Sequence, residues 1–190
     1  MPSGVTSPTD AERHESSVPS SWVVRFAEAI RPHGLVLDVA SGRGRHAAWL
    51  HAQGYRVVAV DRDAEALSQC AADEKIVADL ESGAWPFADR RFDAVVVTNY
   101  LHRPLFPRLM AALSDGGVLL YETFAAGNAA FGRPSNPDFL LRPGELLAQC
   151  AALQVVAYED GIVAEPRPAS IQRICAIRVA SDETPARKVL

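Results

Sequence analysis

Twelve consecutive residues constrain this chain more than any other stretch: Val36-Leu37-Asp38-Val39-Ala40-Ser41-Gly42-Arg43-Gly44-Arg45-His46-Ala47. Leu35 to Val39 is a short apolar run of strand length. A turn with two glycines follows, and Arg45 to Gln53 reads as a helix stopped by Gly54. Glycines in such a turn let the backbone come close to a ligand that a Cβ would push away. A strand that passes through a glycine turn into a helix opens a βαβ unit and demands a second, parallel strand beside the first.

The rest of the chain supplies that alternation. Arg56 to Val60 reads as a second strand, Ala64 to Asp73 as a helix and Lys75 to Ala78 as a third strand. Phe92 to Thr98 contains Ala94-Val95-Val96-Val97, a run suited to a strand buried on both faces. A helix over Leu105 to Leu113 and a strand over Gly117 to Phe124 follow. Ala125 to Arg142, rich in Gly, Asn and Pro, is a loop long enough to carry function. Pro143 suits the first position of a helix running to Leu153. Val155 to Gly161 and Ile171 to Val179 are strands with no helix between them, so they pair antiparallel. Ahead of the sheet, Ser20 or Ser21 caps a helix with Trp22, Val23, Phe26, Ala27 and Ile30 at helical spacing, ending at Pro32 and Gly34. The expected fold is α/β: a Rossmann-like, doubly wound, mostly parallel seven-stranded sheet with an antiparallel C-terminal strand pair. Residues 1–18, with little to bury, read as a tail, residues 19–180 as one domain and residues 181–190 as a C-terminal tail.

Composition narrows the partners. No apolar run approaches the ~20 residues of a membrane span, so no membrane partner is expected. The opening Met1-Pro2-Ser3-Gly4 has neither the basic cluster nor the apolar core of a leader, which makes the cytoplasm the expected location. A net charge of −4 gives no general pull toward nucleic acid. Cys70, Cys150 and Cys175 are far apart in sequence and odd in number, so they read as packed thiols rather than a disulfide framework or a metal cluster. The expected assembly is a monomer or a homodimer.

Gly42-x-Gly44-x-x-Ala47 also fits a dinucleotide fingerprint, and by itself does not separate a nicotinamide dinucleotide from other adenosyl ligands. Asp38 shifts the balance. Four residues before Gly42, it is placed to orient the loop or face a ligand ammonium, and it would repel a pyrophosphate. Asp61 ends the second strand and can accept bonds from both hydroxyls of a ribose, as it would in either case. The length after this unit is short for a separate substrate domain.

On these residues the sequence resembles the class I S-adenosylmethionine-dependent methyltransferases, of the small bacterial single-domain kind, over about Trp22 to Val179. The resemblance implies S-adenosylmethionine as cofactor and no metal. It assigns the methionine part to Asp38, Ala40, Ser41, Gly42 and Gly44, the ribose to Asp61 with Arg62, the adenine side to Asp79 and Leu80, and a further cofactor contact to Asn99. The family pattern usually has Gly where Ala40 stands. Pro86-Phe87 and Phe92-Asp93 match family positions of structural character.

Asn99-Tyr100-Leu101-His102 lies at the carboxyl edge of the fourth strand, where open α/β sheets bind ligands. His102 is the candidate for acid–base work, with Tyr100 beside it. His46, by contrast, reads as a residue that braces the loop. Glu122 at a strand end, and Asn128, Phe131 and Arg133 in the long loop, are candidate acceptor contacts, with the loop a lid on mobile ends. Amino-methylating relatives often carry Asn-Pro-Pro-Tyr where Asn99 stands, and this chain does not. The expected activity is methyl transfer to a small-molecule acceptor. A nucleotide-binding oxidoreductase and a non-catalytic S-adenosylmethionine-binding partner subunit are the alternatives.

Overall fold

The computed structural model describes residues 18–180; the expected tails, except for Val18, lie outside the described residues. The chain opens with α1 (Ser21–Phe26), continued by a 3-10 turn at Ala27–Ala29. Ser20 is its cap, and the Ser20 hydroxyl accepts the Trp22 N–H. Then come β1 (Leu35–Val39), α2 (Arg45–Ala52), β2 (Arg56–Asp61), α3 (Ala64–Ser68), β3 (Glu74–Val77) and β4 (Phe92–Thr98). The chain continues through a 3-10 turn at Arg103–Leu105, α4 (Phe106–Ala111), β5 (Leu113–Phe124), 3-10 turns at Asn128–Ala130 and Pro137–Phe139, α5 (Glu145–Gln149), β6 (Gln154–Val163) and β7 (Ala169–Ile177).

One seven-stranded sheet runs in the order β3-β2-β1-β4-β5-β7-β6. Strands β1 to β5 are mutually parallel, β7 is antiparallel to β5, and β6 is antiparallel to β7. This is the α/β sheet, doubly wound with an antiparallel C-terminal pair, that the alternation predicts. The period of two sorts each strand between two cores. Val36, Val57, Ala59, Ala94, Val96, Val118 and Leu120 face α1, α2 and α3. Leu37, Val39, Val58, Val60, Val95, Val97, Leu119 and Tyr121 face Phe106 and Leu109 of α4 and Leu146 of α5. Every residue of β4 is buried, which is why its sequence shows no polar alternation.

Several boundaries move for identifiable reasons. α3 ends at Ser68, short of the predicted Asp73, because Cys70 is packed under Gly44 and the Asp73 carboxylate accepts the Val57 N–H at 2.7 Å, pulling the chain back to the sheet. α5 starts at Glu145 after Gly144, whose φ of +70° sets the entry, and it ends at Gln149 rather than Leu153. β5 begins earlier than Gly117, at Leu113, and carries an irregularity between Leu113, which pairs with Phe92, and Val118, which pairs with Ala94. Phe92-Asp93 has the expected structural role: the buried Asp93 carboxylate accepts the Leu35 N–H at 2.7 Å, bonds Ser114, and pairs with Arg31 at 2.8 Å, tying together the end of the sheet opposite the glycine turn.

Candidate functional site

The order reverses at β1: the chain proceeds from β1 outward to β2 and β3, then returns to β4 on its other side. Segments leaving the carboxyl ends of β1 and β4 therefore part and leave a crevice, the position at which open α/β sheets bind ligands. The glycine turn sits in that place. Ala40 takes φ +52°, Gly42 +54° and Gly44 +77°. A left-handed alanine costs roughly 1–2 kcal/mol, which explains physically why glycine is the usual residue at the Ala40 position. The two glycines differ in what they face. A Cβ on Gly42 would meet nothing within 4 Å, whereas a Cβ on Gly44 would overlap Cys70 Sγ and lie 2.8 Å from Cys70 Cβ. Gly42 thus opens on free space, while Gly44 is required by internal packing.

Asp61 binds this turn to β2. Its Oδ2 accepts the Gly42 N–H at 2.7 Å and its Oδ1 accepts the Asp63 N–H at 2.8 Å. Each oxygen keeps a lone pair for a further donor. The Ser41 hydroxyl, in the same turn, is buried and makes no hydrogen bond in the protein, so it retains full capacity for a ligand. These features fit the methionine and ribose portions of an adenosyl cofactor: an open glycine, an uncommitted hydroxyl and a carboxylate with spare acceptors.

Asp38 is buried beneath the turn, where its Oδ2 accepts the Ala47 N–H at 3.0 Å. Burial pushes its carboxyl up to about 7, against the lowering effects of that bond and of Arg45. The folded chain holds this proton up to about pH 7 and the unfolded chain loses it near 3.8, so across that interval the folded state binds more protons and stability falls as pH rises. Above about pH 7 the loss is complete. Asp38→Asn keeps an oxygen for the Ala47 N–H, and is expected to flatten this dependence and raise Tm by a few degrees at about pH 8 while weakening binding of a ligand ammonium. Scanning calorimetry across pH checks it; a variant that loses Tm with pH as steeply as the wild type would contradict the assignment.

His46 braces the loop, as its position suggests. Its Nε2 accepts the Ser20 N–H at 3.1 Å, so the neutral ring carries its proton on Nδ1, 3.2 Å from the Thr98 hydroxyl. Burial and then the Arg45 charge hold its pKa down to about 3.

The second half of the expected cofactor set is less engaged. Asp79 is exposed, and its carboxylate accepts the Glu81 and Ser82 N–H groups and the Ser82 hydroxyl, a turn role that also lowers its pKa. Leu80 is buried in the core. Arg62 is exposed beside Asp61. Asn99 adopts φ +54° at the end of β4, donates its N–H to the Glu122 carbonyl, and lines an open cleft of about 520 Å³.

That cleft brings together Asn99, Phe124, Arg133, Asn136, Phe139 and Arg167. Of the four expected acceptor contacts, only Arg133 lines it. Asn128 is buried and spent on the backbone: its Oδ1 accepts the Ser170 N–H and its Nδ2 donates to the Pro134 carbonyl. Phe131 is exposed and outside the lining, and Glu122 accepts from Ser20 at 2.8 Å and pairs with Arg173 at 3.3 Å. His102 is half-buried and is likewise absent from the lining. The Tyr100 phenol is pushed up by burial and by the Glu81 carboxylate it bonds, which keeps it protonated and unsuited to act as a base.

The loop from Ala125 to Arg142 does not have the mobile ends of a lid. Ala125 bridges Leu141, Ala126 N–H donates to the Leu141 carbonyl and Leu141 N–H to the Phe124 carbonyl. Arg103 reinforces this base by donating to the Asp138 and Leu140 carbonyls while pairing with Glu145. The loop is a compact excursion stapled at its neck, with its tip forming one wall of the cleft. Arg167, Phe124 and Phe139 are cleft residues that sequence reasoning missed. Arg167 lies in the short connection between β6 and β7, and only the antiparallel return of β7 beside β5 carries it to this edge.

Residues 37–117 match the family model described as a methyltransferase domain. The structure resembles TehB from Haemophilus influenzae with a TM-score of 0.70 at 18% identity, covering 84% of this chain and 62% of that one, so this chain spans less than two thirds of TehB. A S-adenosylmethionine-dependent methyltransferase from Mesorhizobium loti gives 0.63 at 17% identity, covering 84% and 99%. A Burkholderia thailandensis 1,6-didemethyltoxoflavin N1-methyltransferase, solved with 1,6-didemethyltoxoflavin and S-adenosylhomocysteine, gives 0.63 at 20%, covering 90% and 82%. No curated protein matches the sequence. The fold is the one that these solved S-adenosylmethionine-dependent methyltransferases have. No helix among the described residues is long and apolar enough to cross a membrane.

Proposed function

We propose that this chain transfers a methyl group from S-adenosylmethionine to a small-molecule acceptor. The observation that carries this reading is the coupling of the glycine turn to the end of β2 through Asp61, which sets an open glycine, an unpartnered Ser41 hydroxyl and a carboxylate at one edge, next to the Asn99 cleft. Ser41 and Gly42 would hold the methionine part, with Asp38 beneath it, and Asp61 the ribose. When bound, S-adenosylmethionine supplies a methyl group on a sulfonium that is already an activated leaving group. The protein's part is therefore to hold and align the two reactants. A nucleophile that needs little help losing its proton suits this site, since Tyr100 stays protonated and His46 is held neutral by burial and the Arg45 charge.

Calorimetry is expected to show S-adenosylhomocysteine binding in the micromolar range, on the order of −8 kcal/mol, with a rise in Tm, and no binding of reduced nicotinamide dinucleotide. Cell extract supplied with methyl-labelled cofactor and the protein is expected to yield label in the low-molecular-mass fraction. Binding of the dinucleotide alone would overturn the cofactor, and label confined to protein or nucleic acid would overturn the acceptor class.

A further inference from the structure

The cleft beside Asn99 holds two cations that the protein does not use. Arg133 comes from the stapled loop and Arg167 from the β6–β7 connection, so segments far apart in sequence deliver both to one cavity of about 520 Å³. Among the described residues neither arginine has a hydrogen bond or an ion pair, while Arg25, Arg31, Arg90, Arg103, Arg173 and Arg178 each pair with a carboxylate. Two uncommitted guanidinium groups thus converge on one cavity in a chain of net charge −4. The remaining wall has a complementary chemistry. Phe124 and Phe139 offer aromatic surface, Phe139 being 53% exposed, and Asn99 and Asn136 offer amides.

We infer that this cleft is the acceptor site and that it selects a small planar molecule bearing an anionic oxygen group, a carboxylate or a phosphate. The inference rests on the methyl-transfer reading for the word acceptor, and on the cleft alone for the chemistry. Guanidinium forks recognise carboxylate and phosphate oxygens through paired, charge-assisted hydrogen bonds, and aromatic faces take a flat ring. Asn99 ends β4 in a left-handed conformation at the same edge as the glycine turn, which sets the anion-binding cleft beside the proposed cofactor position.

The test uses the full chain, with and without saturating S-adenosylhomocysteine, and three probes of similar shape: benzoate, phenyl phosphate and benzamide. One or both anions are expected to bind roughly tenfold or more tighter than benzamide, and which one binds tighter separates a carboxylate from a phosphate acceptor. Arg133→Gln with Arg167→Gln is expected to abolish that preference with S-adenosylhomocysteine affinity unchanged, whereas Arg91→Gln, at the opposite edge of the sheet, leaves the preference intact. Equal binding of benzamide and the anions, no binding of any probe, or a preference that survives the double substitution would overturn the proposal. A chain that prefers the anions through these arginines yet does not bind S-adenosylhomocysteine would sink the methyl-transfer reading and leave the anion site standing.

Discussion

Gly44→Ala is expected to destabilise the domain strongly, lowering Tm by roughly 10 °C. Two costs coincide. The added Cβ would overlap Cys70 Sγ and lie 3.1 Å from Cys70 Cα, so α3 and the turn cannot both keep their places. Overpacking of this kind costs about 1–3 kcal/mol, and the φ of +77° adds about 1–2 kcal/mol for a residue with a side chain. Gly42→Ala is the matched control. Its φ of +54° carries the same backbone cost, but nothing lies within 4 Å of the new methyl group. It should lose only a few degrees, with its larger effect on ligand binding, because the Cβ enters the space assigned to the cofactor. Replacing Cys70 by Gly in the Gly44→Ala background removes the overlapping sulfur and should restore part of the loss. Equal thermal stability of the two alanine variants would show that Cys70 does not set the requirement at Gly44. Cys70 itself is a spacer: burial pushes its thiol up to about 11, so it is not a nucleophile at neutral pH.

Asp61→Ala should weaken S-adenosylhomocysteine binding by roughly a hundredfold or more, since the proposed ribose contact would lose two charge-assisted hydrogen bonds of about 1.5–3 kcal/mol each. From the sequence, the side chain reads as a ligand contact alone. The structure adds a second function, because the same carboxylate accepts the Gly42 and Asp63 N–H groups. The alanine variant should therefore also lose a few degrees of Tm and show faster amide exchange at Gly42 without ligand. Asp61→Asn retains one carboxamide oxygen to serve two backbone donors, and should fall between wild type and alanine in both measurements. Unchanged affinity in a folded Asp61→Ala variant would place the ribose elsewhere.

Much of the glycine turn and its flanking elements was legible because their signals are local. Strand, turn and helix in residues 35–53 are neighbours in sequence, and their periods, glycines and terminal acids report the backbone directly. Asp61 is legible for the same reason, since it ends a strand paired in parallel with β1. The buried run of β4 similarly announced a strand covered on both faces.

What lies across the sheet was not legible. Asn128 reads as a polar loop residue open to a substrate, yet it is buried with both ends of its amide bound to backbone, because the loop folds back on β7. Arg103 gives no sign of its task until Glu145 and the carbonyls of Asp138 and Leu140 are brought around it. Arg167 had no motif at all, and became a cleft residue only through the antiparallel return of β7 along β5. The sequence by itself determined the layered α/β sheet and the glycine turn, because hydrophobic period and backbone conformation act over a few residues. The tertiary structure decided which side chains are spent on the fold and which are left for a ligand, because hydrogen bonds and ion pairs between distant segments exist only once the strands have taken their order.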